Sequence, residues 1–119
     1  MLINLLHSFG YAFEGIFSSF KTERNMKIHI AMMILVIICG LIFHISLIEW
    51  FICIILFATV ISAELFNTAI ETVVNMITKE KSPEAKLAKD ISAGAVLVLA
   101  IASALIGLII FIPKLFSLF

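Results

Sequence analysis

The chain has 119 residues, a length that favours a single domain. Apolar residues make up 63% of it and charged residues 13%, whereas soluble domains are about half apolar and about a quarter charged. The formal net charge is zero, so no basic excess indicates a nucleic-acid partner, and the apolar excess predicts an integral membrane protein.

The first segment, residues 1–24, is predicted to form an amphipathic helix. Apolar side chains recur at steps of three and four from Leu2 to Phe20. Polar side chains such as Ser8 and Glu14 lie largely on the other side of that helix. We therefore expect an N-terminal helix that lies on the membrane surface.

Three membrane-spanning helices are predicted to follow, at residues 26–45, 50–77 and 86–112. Each contains about the 20 predominantly apolar residues that a helix needs to cross a bilayer. The expected fold is thus an all-α membrane protein, with one surface helix and three spans in a single domain, residues 1–119.

The ends of the spans carry recognisable signals. Trp50 suits the membrane interface, so we place the start of the second span there. Ser82 is a predicted N-cap, and Pro83 suits the first turn of the next helix. Pro113 and Lys114 are predicted to end the third span.

The basic residues predict the orientation in the membrane. Seven of the eight Lys and Arg residues flank the first span or lie between the second and third: Lys21, Arg24, Lys27, Lys79, Lys81, Lys86 and Lys89. The positive-inside rule then places the N-terminus in the cytoplasm and the C-terminus on the outer side. Three spans are too few to enclose a wide site, so we expect an oligomer.

The second span carries a polar stripe near its end. Glu64, Asn67, Thr68, Glu71 and Asn75 fall within an arc of about 100° on one helix face. Polar side chains in a membrane helix usually face a partner or a cavity. The stripe is either a polar seam that joins helices or a functional site, and two carboxylates on one seam favour the site.

The depth of the two carboxylates separates their environments. If Trp50 marks the outer boundary, Glu64 lies about 21 Å inward and Glu71 about 31 Å, in a hydrocarbon core about 30 Å thick. Glu64 is then just inside the inner leaflet, where it can meet a lipid head group. Glu71 is at the cytoplasmic boundary, where it can meet a water-borne ligand.

Charged residues outside the stripe are expected at the same rim. Glu23 and Glu71 could hold Mg²⁺, which favours a few carboxylates together with phosphate oxygens. Lys89 could bind phosphate. The alternatives are a solvated interfacial charge for Glu23 and a lysine that extends to the interface for Lys89.

Several stretches resemble the bacterial integral-membrane diacylglycerol kinase family, which includes the undecaprenol kinases. The most specific is ELFNTAIETVVN, which resembles the family signature E-x-x-N-[ST]-A-I-E-x-x-V-D. GYAFEG at Gly10–Gly15, Glu23, and AKDISAGAVL at Ala88–Leu97 also match, in the family's order and spacing. The resemblance covers nearly the whole chain.

The resemblance implies a homotrimeric kinase with active sites between subunits. It implies that Glu64 is the catalytic base for the lipid hydroxyl or positions it, and that Glu23 and Glu71 bind Mg²⁺ together with ATP. The residues expected to help hold ATP are then Tyr11, Glu23, Asn67, Glu71, Lys89 and Asp90. The resemblance also implies Mg²⁺ as the cofactor, ATP as the co-substrate and a membrane lipid alcohol as the acceptor.

One residue departs from the family signature, and several others distinguish the two branches of the family. The acidic residue that closes the family signature is Asn75 here. The residues Glu23, Asn25 and His29 and the ending FIPK look more like the undecaprenol kinases. Undecaprenol is therefore the favoured acceptor, with diacylglycerol second.

Two functions of other classes compete with the kinase. In a small proton- or cation-coupled transporter, Glu64 would be the ion site. In a structural or regulatory subunit, the polar stripe would serve assembly alone.

Overall fold

The computed structural model describes residues 1–119 and contains four α-helices and no strand. The helices are α1 (Leu2–Thr22), α2 (Arg24–Phe43), α3 (Leu47–Ile77) and α4 (Pro83–Phe116). Helices α2, α3 and α4 are long and apolar enough to cross a membrane. The all-α fold with three candidate spans is confirmed, while the membrane-surface position of α1 and the trimer stay predictions.

A single residue joins α1 to α2. Glu23 has an extended backbone (φ −103°, ψ 119°), and its N–H donates to the Ser19 carbonyl at 2.9 Å. Glu23 is also the N-cap residue of α2, but its side chain makes no capping hydrogen bond. The carboxylate at this junction is therefore free for another partner.

Two local devices hold the turn between α2 and α3. His44 ends α2 in the left-handed conformation (φ 53°, ψ 54°), and its N–H donates to the Gly40 carbonyl. Ser46 and Glu49 form a capping box at the start of α3: each side chain accepts a hydrogen bond from the other residue's backbone N–H. Because this box closes the first helical turn, α3 begins at Leu47 rather than near Trp50.

Trp50 has a packing role beside the interfacial one that the sequence indicates. Its ring lies against Gly40 of α2: a Cβ atom at Gly40 would be 2.6 Å from Trp50 Cη2 and 2.9 Å from Cζ2. The absence of a side chain at Gly40 thus lets the indole cross α2 closely.

Helix α4 begins as predicted but ends later. The Ser82 side chain accepts from the Ala85 N–H at 3.1 Å, and Pro83 occupies the first turn. Helix α4 continues through Pro113 to Phe116, so Pro113 and Lys114 do not end the helix, and the end of the third span at residue 112 stays a prediction. Pro113 lacks an N–H, and Lys114 Nζ donates to the Ile110 carbonyl at 3.2 Å, so the last turn satisfies part of its polar backbone with a side chain.

The apolar core of the single chain is small. Only 11 of 119 residues are buried, and Ile45, Cys53 and Ile110 form the buried apolar cluster near the α2–α3 turn. Helices α3 and α4 share the most extensive helix–helix contact. Most large apolar side chains remain exposed, as they would in a chain that meets lipid or other membrane helices.

Candidate active site

The polar stripe of α3 faces all three of the other helices. Glu64 faces His29 of α2, Thr68 faces Ser19 of α1, and Asn67 faces Ser92 of α4. The helical period thus predicts the face correctly, and the fold places a different neighbour opposite each residue. The stripe is the meeting point of the four helices.

Glu64 is the most enclosed charged side chain of the chain. It is 1% exposed, and neither of its carboxylate oxygens has a hydrogen-bond partner. Its one ion-pair contact is with His29, whose Nε2 lies 3.6 Å from Oε2. A buried polar group without a hydrogen bond is costly and marks a place where a ligand could supply the missing partner.

Asn67 and Thr68 bind neighbouring helices, as a polar seam would. Asn67 is 4% exposed, and its Oδ1 accepts a hydrogen bond from Ser92 Oγ at 2.6 Å. Thr68 Oγ1 donates to the Glu64 carbonyl at 3.0 Å and lies 3.4 Å from Ser19 Oγ. Asn67 and Thr68 therefore join helices, whereas the carboxylate of Glu64 on the same helix face accepts no hydrogen bond.

Lys89 contacts the far end of the stripe. Its Nζ donates to Asn75 Oδ1 at 2.7 Å, which links α4 to α3 one turn beyond Glu71. The partner is a neutral amide, so the ammonium keeps its full charge. A half-buried lysine whose charge is not neutralised suits an anionic ligand such as phosphate.

Glu23 and Glu71 are partly buried, and neither forms a side-chain hydrogen bond or an ion pair within the chain. The charges of both act on the Glu64 carboxylate, so all three acids belong to one region. No group of three or more His, Cys, Asp or Glu side chains is arranged to hold a metal by itself. Two free carboxylates nonetheless suit Mg²⁺, which takes further oxygens from water and phosphate.

Two predicted site residues lie apart from this region in the single chain. Tyr11 is 69% exposed on α1, eight residues before Ser19 and thus about 12 Å from it along the helix. Asp90 is exposed and forms an ion pair with Lys86, its neighbour one turn earlier on α4. The roles predicted for Tyr11 and Asp90 in binding ATP stay predictions.

The sequence of the chain can be compared with known proteins. A sequence profile described as prokaryotic diacylglycerol kinase matches residues 10–111. The chain belongs to this family. The resemblance inferred from ELFNTAIETVVN is thereby confirmed, and all the predicted site residues lie inside the matched range.

Two relatives agree with this membership. The chain is 49% identical over 108 residues to the undecaprenol kinase of Bacillus subtilis, with 91% of this chain and 88% of that protein covered. It is 40% identical over 116 residues to the diacylglycerol kinase of Synechocystis, with 97% of this chain and 66% of that protein covered. This family member is a lipid kinase and, with its three candidate spans, a multi-pass membrane protein.

Three residues of this kinase reach the stripe without having been predicted to do so. His29, Ser19 and Ser92 each lie opposite one stripe residue. The sequence contains a signal for the contact of His29, because an ionisable side chain inside a membrane span is rare and usually faces a partner. The two serines had none, since small polar residues in membrane helices are common at any close helix contact.

Proposed function

We propose that the chain transfers the γ-phosphate of ATP to the hydroxyl of a membrane lipid, with undecaprenol the favoured acceptor and diacylglycerol the second. The observation that carries this proposal is the Glu64 carboxylate, buried and without a hydrogen bond at the meeting point of the helices. An acceptor hydroxyl would supply the missing donor. The names of the two relatives support these two acceptors.

In the proposed reaction, Glu64 accepts a hydrogen bond from the lipid hydroxyl and orients it toward the γ-phosphate. As the hydroxyl oxygen bonds to phosphorus, Glu64 takes its proton. Mg²⁺, held by Glu23 and Glu71, would neutralise charge on the phosphates when bound. Lys89 would contact phosphate oxygens with an ammonium that Asn75 holds but does not neutralise. Catalysis of this kind is mostly positioning and charge stabilisation.

The shape of the chain supports a site shared between subunits. The single chain is 21 Å across its narrowest dimension, about two helix diameters, so it cannot surround a nucleotide. Tyr11 and Asp90 would complete the ATP site from a neighbouring copy in the proposed homotrimer. The exposed apolar faces of α2 and α4 are suitable surfaces for such packing.

The distribution of basic residues supports an orientation in which ATP reaches the site from the cytoplasm. Lys21, Arg24 and Lys27 lie at the α1–α2 junction, at the same end as Glu23. The loop between α3 and α4 is also rich in lysine. The proposed N-terminus is therefore cytoplasmic, with α1 on the inner membrane surface and the C-terminus outside.

The test is phosphate transfer by purified protein in mixed micelles, with labelled ATP, Mg²⁺ and either undecaprenol or diacylglycerol. We expect labelled lipid with both and a higher kcat/KM with undecaprenol. Glu64→Gln should lower kcat by about 100-fold or more, because a positioned base contributes about 10²–10⁴-fold, while nucleotide binding persists. Glu80→Gln, an exposed loop position, is the matched control and should retain activity.

Two outcomes would overturn the proposal. The first is a well-folded wild type that labels neither lipid. The second is a Glu64→Gln variant with unchanged turnover. A pH-driven flux in proteoliposomes without ATP, lost in Glu64→Gln, would instead support a transporter.

A further inference from the structure

His29 of α2 faces the buried carboxylate of Glu64. The distance from its Nε2 to Glu64 Oε2 is 3.6 Å. The side chain of His29 is 17% exposed, whereas that of Glu64 is 1% exposed. The imidazole therefore connects an enclosed acid with the surface of the chain.

The charges around Glu64 leave one source of compensation. The charged groups that act on its carboxylate are His29 on α2, Glu23 at the α1–α2 junction and Glu71 on α3. Two of these three are acids, so they oppose a negative charge on Glu64. His29 is the only one of them that can become positive, and Asn67, whose oxygen accepts from Ser92, can offer the carboxylate only a neutral amide.

We propose that His29 is a positioning residue for phosphate transfer: it holds the Glu64 carboxylate toward the acceptor hydroxyl and receives the hydroxyl proton from it. This inference rests on the proposed function of Glu64 as the base. A base in an enclosed site must discard each proton before the next turnover. An imidazole suits such a relay, because one of its ring nitrogens can accept a proton while the other donates one.

Each turnover moves one phosphoryl group and one proton. The lipid O–H bond breaks and its proton goes to Glu64 as the oxygen bonds to the γ-phosphorus. The bond between that phosphorus and the oxygen of the departing ADP breaks. The proton then passes from Glu64 Oε2 to Nε2 of neutral His29, which leaves a carboxylate beside an imidazolium. The imidazolium releases the proton to water, and the pair returns to its starting state.

The kinetic test compares wild type, His29→Gln and a histidine control in the mixed-micelle assay. We expect kcat of His29→Gln to fall about tenfold to a hundredfold, the lower part of the range for proton-transfer groups, with KM for ATP unchanged. The dependence of kcat on pH should also change in His29→Gln, because the substitution removes a group that takes up and releases a proton in every turnover. His44→Asn is the control, since Asn tolerates the left-handed conformation of that distant turn.

Two further measurements separate this role from a structural one. In His29→Ala, added imidazole should restore part of kcat, which a packing role would not allow. In wild type and Glu64→Gln without substrate, the ¹⁵N shifts of the His29 imidazole should differ at equal pH, and this readout stays available if lipid phosphorylation fails altogether. The proposal is overturned if His29→Gln keeps the wild-type kcat and pH profile, or if the imidazole shifts ignore Glu64→Gln.

Discussion

The contact between Gly40 and Trp50 offers a quantitative test of how α2 and α3 pack. In Gly40→Ala, the new Cβ would lie 2.6 Å from Trp50 Cη2, 2.9 Å from Cζ2 and 3.1 Å from Ile45 Cδ1. Two of these distances are with a rigid ring that cannot yield by a rotamer change alone. Overpacking of this kind costs about 1–3 kcal/mol, and the better helix propensity of Ala offsets about 1 kcal/mol. We expect a net loss of up to about 2 kcal/mol in the free energy of unfolding.

The assay is reversible unfolding in detergent micelles, followed by the far-ultraviolet circular dichroism of the helices, because one of the variants below lacks Trp50, the chain's only tryptophan. Gly107→Ala is the matched control, because a Cβ there meets no atom within 4 Å, and it should stabilise by about 0.5–1 kcal/mol. Replacing Trp50 by Leu in the Gly40→Ala background should recover part of the loss. Equal stability of Gly40→Ala and Gly107→Ala would refute the close contact.

Two further changes test polar contacts between α3 and α4. Asn75→Asp should raise the free energy of unfolding by about 0.5–1 kcal/mol at low salt, because the hydrogen bond from Lys89 becomes charge-assisted. The gain should be smaller at high salt, which screens the two charges. A gain that does not change with salt would contradict this explanation. Lys114→Met should lower the free energy of unfolding by about 1 kcal/mol, because Lys114 Nζ lies 2.7 Å from Glu49 Oε2 in a partly buried ion pair. In the Glu49→Gln background, Lys114→Met should cost clearly less stability. Equal losses of stability in both backgrounds would exclude the Lys114–Glu49 ion pair as the cause of the effect.

The helices of this kinase could be predicted from the sequence because hydropathy and polar interruptions are local signals. The same is true of the N-cap at Ser82. The start of α3 also has a local signal, because Ser46 and Glu49 have the spacing of a capping box. The predicted start near Trp50 relies instead on the preference of tryptophan for the membrane interface, and it lies about one turn after the observed start of the helix. The end of α4 could not be predicted from a local sequence pattern. Lys114 in the last turn binds both the Ile110 carbonyl and Glu49, 65 residues earlier in the chain, and the second of these contacts is visible only in the fold.

The candidate site was predictable as a face but not as a set of contacts. The helical period places Glu64, Asn67 and Thr68 on one side of α3 whatever surrounds that helix. Which helix stands opposite each residue depends on how the four helices pack, and one sequence does not contain that information. The pairing of Glu64 with His29 joins positions 35 residues apart and could be found only from the fold.

The contacts also refine the choice between a polar seam and a functional site. A stripe that served assembly alone would satisfy its polar groups, because an unpaired group between helices weakens the contact it occupies. Asn67 and Thr68 behave in that way, since each bonds or approaches a serine on another helix. Glu64 does not, because both of its oxygens remain without a donor at the most enclosed point of the stripe. The seam therefore surrounds the candidate site: its hydrogen bonds hold the helices around a carboxylate that accepts no hydrogen bond within the chain.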